Sequence, residues 1–243
     1  MAGVRPFATV RLERAGPVAV ITLDRPRALN AFDVAMRDDL HAALGAVDDD
    51  PTLRALVLRG QGRAFCAGGD VREFGSAPSP AVARAVRRQR DVWERLLRLR
   101  ATTVAAVHGL AVGSGFEMAM LCDLCVAAIG TRFALPECGL GMIPGVGGTQ
   151  TLPRRVGVGH ALDCVLTGRW LSARDAHRLG IVTTLVPRPR LVPTARGLAT
   201  RLARLEPAVA LALRRCVRAA HEMPVERGLQ LERVVGLGLE GRR

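Results

Sequence analysis

The chain contains very little of several residue types that other protein classes need. Its 243 residues include no lysine and no tyrosine, and aromatic residues make up only 3%. With so few aromatic rings, little surface is available on which nucleic-acid bases could stack. No run of about 18 apolar residues occurs, so the sequence predicts no membrane-spanning helix. No apolar signal-peptide core follows Met1, and we therefore expect a cytoplasmic protein.

The formal net charge is +13, and arginine supplies all 35 basic residues other than histidine. One interpretation is attraction to a polyanion, such as nucleic acid or a phosphate-bearing cofactor. The other, which we favour, is that arginine stands wherever another protein uses lysine, since net charge affects association rather than fold. An RNA-binding protein using this basic surface is the alternative from another class. The low aromatic content and the absence of an RNA-recognition motif count against it.

Only one pair of the six cysteines, Cys122 and Cys125, has the spacing of a redox or metal pair. No second pair or histidine cluster completes a zinc site around it. We therefore expect free, buried cysteines and no metal.

Strands alternate with helices up to about residue 148, and helices dominate afterwards. This order predicts an α/β protein with a helical C-terminal region. Strands are expected over residues 9–13, 18–23, 54–58, 103–107, 124–128 and 181–186. Helices are expected after Asp33, from Pro80 towards Leu99, around Glu117, and over residues 173–179, 194–205, 207–221 and 224–238. Asp33 and Ser172 are the expected N-caps of two of these helices.

Two glutamates stand in glycine-rich segments, Glu117 after His108-Gly-Leu-Ala-Val-Gly-Ser-Gly and Glu137 before Gly139-Leu-Gly-Met-Ile-Pro-Gly. A third glycine-rich segment, Phe65-Cys-Ala-Gly-Gly-Asp70, lies upstream. Glycine allows the backbone to approach a ligand closely, and exposed N–H groups at such turns can bind an oxyanion. Two carboxyl groups can share proton donation and acceptance. These segments together predict an enzyme that stabilises an oxyanion while carboxyl groups move protons.

Five segments in this order resemble the enoyl-CoA hydratase/isomerase, or crotonase, superfamily, over roughly residues 6–222. They are Arg25-Pro-Arg-Ala-Leu-Asn30, Ala64–Val71, His108–Ala119, Pro136–Gln150, and Leu166–Gly168 together with Ala173–Val182. The resemblance implies a crotonase-like spiral of repeated ββα units closed by C-terminal helices. It assigns residues 1–190 to a core with the catalytic site, and residues 191–243 to a helical region for oligomerisation and ligand cover.

The resemblance also implies an acyl-CoA thioester substrate and a homotrimer or homohexamer. Coenzyme A would arrive as part of the substrate, with no permanently bound cofactor. The backbone N–H groups of Gly69 and Ser114 would hold a thioester enolate. The residues expected to bind substrate or coenzyme A are Arg25, Arg27, Ala28, Ala67, Gly69, Asp70, Val71 and Gly113.

The family's chemistry divides on the two carboxylates, and this chain has glutamate at both matching positions. That pattern implies hydration of a 2-enoyl-CoA, with Glu137 as the principal proton donor and acceptor and Glu117 holding the water and helping to deprotonate it. A Δ3-Δ2-enoyl-CoA isomerase, with Glu137 moving the proton, is the nearest alternative.

Each candidate residue also has an alternative structural interpretation. Glu117 could be a surface carboxylate and Glu137 could cap a turn, although their position within the motifs favours catalysis. Asp70 is expected to close the turn after Gly69, and His108 to be a hydrogen-bonded histidine near the core. Arg25 and Arg27 could be solvated surface arginines. The chain also lacks the family's lysine-bearing C-terminal segment, which leaves open whether that end contacts coenzyme A.

Overall fold

The computed structural model describes residues 7–79, 81–82, 85 and 89–240, and these residues form two sheets surrounded by helices. The strands are β1 (Val10–Ala15), β2 (Val18–Leu23), β3 (Ala55–Gly60), β4 (Thr102–Val107), β5 (Leu110–Val112), β6 (Leu124–Ala128), β7 (Arg132–Ala134), β8 (Leu171–Ser172) and β9 (Thr184–Val186). The helices are α1 (Val34–Asp49), α2 (Val92–Arg98), α3 (Ser114–Leu121), α4 (Gly148–Val156), α5 (Val158–Thr167), α6 (Ala173–Arg178), α7 (Leu191–Leu202), α8 (Pro207–Ala219) and α9 (Val225–Glu240).

The larger sheet has the order β1-β2-β3-β4-β6-β9, in which only the β1–β2 pair is antiparallel. Its central strands are buried on both faces, because every residue of β2 and of β4 is buried. One face, with Leu56 and Leu58, packs on α1 and the interior of the molecule. The opposite face, with Val57, is covered by α7. This explains why the central strands read as continuous apolar runs.

A second layer lies beside this sheet and contains β5, β7 and β8. Single parallel bridges, Cys66 to Ala111 and Phe32 to Gly69, extend the layer towards earlier parts of the chain. The chain therefore repeats one path, in which a strand of the large sheet leads to a strand or bridge of the second layer and then to a helix. The run β4-β5-α3 is the most complete example. This is the predicted spiral of ββα units, and the prediction is confirmed.

The helix-start signals of the sequence are present where they were expected. Asp33 caps α1, because its Oδ1 accepts a hydrogen bond of 2.8 Å from the Met36 N–H. Ser172 caps α6 in a capping box with Asp175, in which each side chain bonds the other residue's backbone. These side chains satisfy N–H groups that have no partner inside the helix.

Several expected elements differ in extent: the helix expected over residues 194–205 is found at Leu191–Leu202, and two other differences have a local cause. The helix expected from Pro80 to Leu99 is interrupted at residues 90–91, where Asp91 accepts hydrogen bonds from the N–H groups of Trp93 and Glu94, both 2.9 Å, and starts α2. Residues 80, 83, 84 and 86–88 of that prediction lie outside the described residues. The strand expected from residue 181 is shorter, because the N–H groups at residues 181 and 182 bond the Ala176 carbonyl and close α6.

The C-terminal helices attach to the core through apolar packing and one charged cluster. Leu191 and the alanines of α7 pack on the large sheet. The Asp123 carboxylate accepts bonds from Arg214 (2.9 Å) and Arg218 (2.7 Å) of α8. Among the described helices, none is both long and apolar enough to cross a membrane.

The turn between β4 and β5 requires glycine at position 109, because there is no room for a side chain. A Cβ atom on Gly109 would lie 1.9 Å from the Arg63 carbonyl oxygen, whereas a Cβ on Gly130 would meet nothing within 4 Å. Both glycines have a positive φ, 62° and 90°. We expect Gly130→Ala to lower the free energy of unfolding by about 1–2 kcal/mol through backbone strain alone. Gly109→Ala should cost at least a further ~1–3 kcal/mol, because the new methyl group overlaps the backbone.

Urea unfolding of the two variants measures this difference, and Gly130→Ala is the control matched for backbone conformation. Equal losses of stability would contradict the steric role assigned to Gly109.

Candidate active site

Two glycine loops, residues 65–70 and 108–115, lie side by side at the centre of the candidate site. The Val112 N–H donates a 3.0 Å hydrogen bond to the Cys66 carbonyl, next to the Cys66–Ala111 bridge. The loops then run so close that a Cβ on Gly113 would lie 3.7 Å from the Gly68 Cα. Gly68 and Gly113 have φ angles of 103° and 50°, which side-chain-bearing residues rarely adopt. The conformation therefore needs glycine on both loops.

The two expected oxyanion donors follow these glycines directly. Within the described part of the chain, no protein oxygen accepts a hydrogen bond from the Gly69 N–H or the Ser114 N–H. The neighbouring N–H groups are used: that of Asp70 bonds the Phe32 carbonyl and that of Gly113 bonds the Ala134 carbonyl, both at 2.9 Å. Ser114 is also the first residue of α3, where the helix dipole is positive. Gly69 and Ser114 thus present two unused donors on adjacent loops.

Glu117 lies on the first turn of α3 and is buried, with only 1% of its surface exposed. Its Oε1 accepts hydrogen bonds from the N–H groups of Val146 (3.1 Å) and Gly148 (2.7 Å). Burial nevertheless raises the pKa of Glu117 to about 7, and the nearby Glu137 carboxylate adds to the rise. The alternative of a solvated surface carboxylate is therefore wrong for Glu117.

Glu137 begins a short 3-10 helix that ends at Leu140, directly after Pro136. Its carboxyl is half-buried, and its Oε2 has no hydrogen-bond partner among the described residues. Burial raises the pKa of Glu137 above its usual value. A Cβ on Gly113 would lie 2.8 Å from Glu137 Oε1, so the missing side chain makes room for this carboxyl beside the two glycine loops. A buried acceptor without a partner is a position that substrate or water can fill.

A buried asparagine, Asn30, ties the loop of residues 25–30 to the first glycine loop. Its Oδ1 accepts a 2.9 Å bond from the Arg25 N–H, and its Nδ2 donates to the carbonyls of Gln61 (2.9 Å) and Ala64 (2.8 Å). Ala67 adds a backbone bond of 3.1 Å to the same loop. Sequence reasoning did not assign Asn30 to the site, although the segment Arg25-Pro-Arg-Ala-Leu-Asn30 ends on it.

The Arg25 guanidinium is held by acidic neighbours rather than by solvent. It contacts Asp33 at 2.8 Å and Asp70 at 3.2 Å, and it also donates to the Ala31 carbonyl. The solvated interpretation of Arg25 is therefore wrong. Asp70 accepts the Arg72 N–H at 3.2 Å, which confirms its expected role in closing the turn. The Arg72 guanidinium, 2.6 Å away, holds the pKa of Asp70 well below its usual value.

An open cleft lies outside this loop and contains three arginines beside one aspartate. It is lined by Asp24, Arg25, Pro26, Arg27, Ala28 and Arg72. Arg27 is exposed there, and Arg72 and the residue before it, Val71, are exposed as well. Sequence reasoning missed Arg72, because nothing in the pattern distinguished it from the many other arginines.

His108 belongs to the protein interior, as the structural interpretation expected. It is 2% exposed, its Nε2 bonds the Gly62 carbonyl at 2.9 Å, and burial lowers its pKa to about 4. All six cysteines are free, and Cys122 and Cys125 are buried, but Cys138 is exposed and Cys216 is partly exposed, so the expected burial is wrong for those two. Among the described residues, no group of three or more His, Cys, Asp or Glu side chains is arranged to hold a metal ion.

Comparison with known proteins gives consistent matches over nearly the whole chain. The family model described as enoyl-CoA hydratase/isomerase matches residues 13–236. The mitochondrial enoyl-CoA hydratase of Pongo abelii is 37% identical over 238 residues, which cover 94% of this chain and 81% of that protein. The 2,3-dehydroadipyl-CoA hydratase of Escherichia coli K12 is 37% identical over 216 residues, covering 89% and 84%.

A solved structure shares both sequence and fold with this chain. The enoyl-CoA hydratase subunit I of Geobacillus kaustophilus superposes with a TM-score of 0.90 at 37% identity. The match covers 97% of this chain and 91% of that one.

The buried environment of Glu117 raises the pKa of its carboxyl enough to be measured. Its pKa is raised from 4.5 to about 7, so the folded protein binds this proton more tightly than the unfolded chain. The stabilisation from this group is complete below pH 4.5 and is lost as pH rises to about 7. Carboxyl 13C NMR should show one glutamate titrating near pH 7 that is absent in Glu117→Gln. The same resonance should titrate at lower pH in Glu137→Gln, which removes the neighbouring charge; an unchanged midpoint would contradict their proximity.

Proposed function

The chain belongs to the enoyl-CoA hydratase/isomerase family, and from this premise we propose that it hydrates a 2-enoyl-CoA thioester to a 3-hydroxyacyl-CoA. One observation in this structure supports the proposed hydration chemistry. The buried, unpartnered Oε2 of Glu137 lies in a site that also contains Glu117 and two unused N–H donors. A site of this composition can hold a water molecule between two carboxyls and stabilise an oxyanion beside it.

The N–H groups of Gly69 and Ser114 would bind the thioester oxygen. The water oxygen forms a bond to C3. The electrons of the C2–C3 double bond then move through C2 onto the thioester oxygen and give an enolate. Two backbone donors on tightly packed loops are fixed before the reaction, so little reorganisation is needed as the negative charge develops. The positive end of α3 adds to this stabilisation.

The two carboxyls would exchange protons with the reacting atoms. Ionised Glu117 takes a proton from the attacking water, and protonated Glu137 delivers its proton to C2 as the enolate collapses. The raised pKa values support both roles, because burial raises the pKa of Glu117 to about 7 and raises the pKa of Glu137 above its usual value. Both hydrogen bonds to Glu117 end on Oε1, which leaves Oε2 for the water. Glu117 then releases its proton to solvent and Glu137 takes one up from solvent, which restores the starting state.

The open cleft beside the loop of residues 25–30 is the proposed binding place for coenzyme A, which arrives as part of the substrate. Arg27 and Arg72 would face its phosphates, with Ala28, Ala67, Val71 and Gly113 along its path. Arg25 and Asp70 would act indirectly, because their ion pair fixes the loop that carries Arg27. The net charge of +13 favours capture of such an anionic ligand.

We propose a homotrimer or homohexamer in the cytoplasm, with residues 1–190 forming the core and residues 191–243 serving assembly and ligand cover. The apolar surface of the last two helices supports assembly, because it would otherwise face water. Its exposed members are Leu211, Leu213, Val217, Val225, Leu229, Val234 and Leu237. The curated relatives include a mitochondrial protein, so the compartment needs direct testing by cell fractionation.

The first functional test replaces each carboxyl by an amide of the same shape. We expect Glu117→Gln and Glu137→Gln each to lower kcat for hydration of crotonyl-CoA by about 100- to 10,000-fold, because proton transfer is lost. The dissociation constant for the thioester should stay nearly unchanged. The measurement is the disappearance of the conjugated thioester absorbance together with the appearance of the 3-hydroxy product.

Glu232→Gln, an exposed glutamate on α9, is the matched control and should leave kcat unchanged. Near-normal hydration in both site variants would reject the two-carboxyl mechanism. If the wild-type protein leaves crotonyl-CoA unchanged but converts a 3-enoyl-CoA into the conjugated thioester, the reaction is isomerisation instead.

The second functional test removes one N–H donor and keeps the helix. Ser114 is the first residue of α3, a position where proline is tolerated because its N–H has no partner within the helix. We expect Ser114→Pro to lower kcat by about 100- to 1,000-fold, while Ser114→Gly stays active because it keeps the N–H. Circular dichroism and the thermal midpoint verify that both variants fold. A large loss of activity in a folded Ser114→Gly would show that the hydroxyl, rather than the backbone, is required.

A further inference from the structure

A basic cluster lies on the face of the large sheet that α7 covers, away from the two carboxyls. It consists of Arg59 at the end of β3, His108 just after β4, and Arg188 in the short 3-10 helix before α7. Two of the three side chains bind the same atom, because His108 Nε2 (2.9 Å) and Arg188 Nη2 (3.3 Å) both donate to the Gly62 carbonyl. The cluster is therefore a defined arrangement rather than a set of loose surface arginines.

The positive charges of this cluster have no compensating carboxylate among the described residues. Burial lowers the pKa of Arg188 and of His108, and the charge of Arg59 adds to both shifts, while no acidic side chain offsets them. Arg59 Nε and His108 Nδ1 are buried atoms without a hydrogen-bond partner in the described chain. Arg25, in contrast, meets two acids, Asp33 and Asp70. The two arginine charges, together with the unused Arg59 Nε donor, indicate a missing anion.

The position of the cluster separates it from the cleft that we propose for coenzyme A. Along β3, Val57 faces α7 whereas Leu58 faces the catalytic interior, and Arg59 follows on the α7 side. Gly62, which joins the cluster, packs against the back of Pro26, since a Cβ there would lie 2.9 Å from the proline ring. The loop of residues 25–30 therefore has the open cleft on one side and the basic cluster behind it.

We propose that Arg59 and Arg188 form a second anion site, which binds a phosphate group. A guanidinium offers paired donors that match the spacing of phosphate oxygens, and two of them can neutralise a dianion. Arg188 is exposed, so the ligand enters from solvent, while Arg59 supplies the partly buried donor. His108 positions the Gly62 carbonyl and lies close enough to report on the bound charge.

The test titrates inorganic phosphate into the intact protein at constant ionic strength, followed by calorimetry and by the histidine ring signals in NMR. We expect a dissociation constant of about 1 mM or lower, which corresponds to roughly −4 kcal/mol. The His108 ring signal, assigned by its absence in His108→Asn, should move with the same midpoint. Arg188→Gln and Arg59→Gln should each weaken binding at least ~10-fold.

Arg190→Gln is the matched control, because it removes the same charge from an exposed arginine of the same 3-10 helix. It should bind phosphate like the wild-type protein. Equal weakening in all three variants would show only general attraction to a basic surface, and no binding at all would overturn the proposal outright. The titration is repeated with saturating coenzyme A: persistence of phosphate binding supports a separate site, whereas complete displacement would make the cluster part of the coenzyme A site and reject its independence.

Discussion

The close backbone contact between the two glycine loops is the constraint on which the site depends. A Cβ on Gly115 would lie 2.4 Å from the Cys66 carbonyl oxygen, so the two chain segments could not approach if a side chain stood there. This contact brings the Gly69 and Ser114 N–H groups onto adjacent loops and fixes where α3 begins. Glu117 then follows one turn later, in the interior. The placement of the donors and of one carboxyl therefore follows from a single approach of backbone to backbone.

Arginine is the basic partner in the ion pairs that hold parts of this structure together. The Arg25 contacts with Asp33 and Asp70 hold the loop beside the site, and the Asp123 contacts with Arg214 and Arg218 hold α8 against the core. Removing one partner of such a partly buried pair leaves the other charge uncompensated. The planar guanidinium suits these positions because it can serve several oxygens at once. The high arginine content is thus partly explained by packing, while the cluster at Arg59 and Arg188 has no acidic partner in the described chain.

Local patterns predicted a large part of the fold and indicated the candidate site residues Glu117 and Glu137. Helix caps such as Asp33 act over three or four residues, and apolar runs such as β2 show burial directly, so both could be recognised in the sequence. The break at Asp91 could not, because the preceding residues continue a helical pattern. The roles of Asn30 and Arg72 also depend on partners that are distant in sequence or on the path of a loop. Which of many similar side chains meets a given partner is decided by tertiary packing.

The carboxyls of Glu117 and Glu137 differ in how many structural elements hold them in place. Glu117 is part of a helix and is bonded to the start of α4, so changing it disturbs two elements together. Glu137 stands on a short surface turn, followed by exposed Leu140 and Ile143. Replacing that turn would alter the proposed proton transfer while leaving the two glycine loops intact. A scaffold of this kind can change its proton-transfer group through one replaceable segment, while the backbone N–H donors of the glycine loops stay where they are.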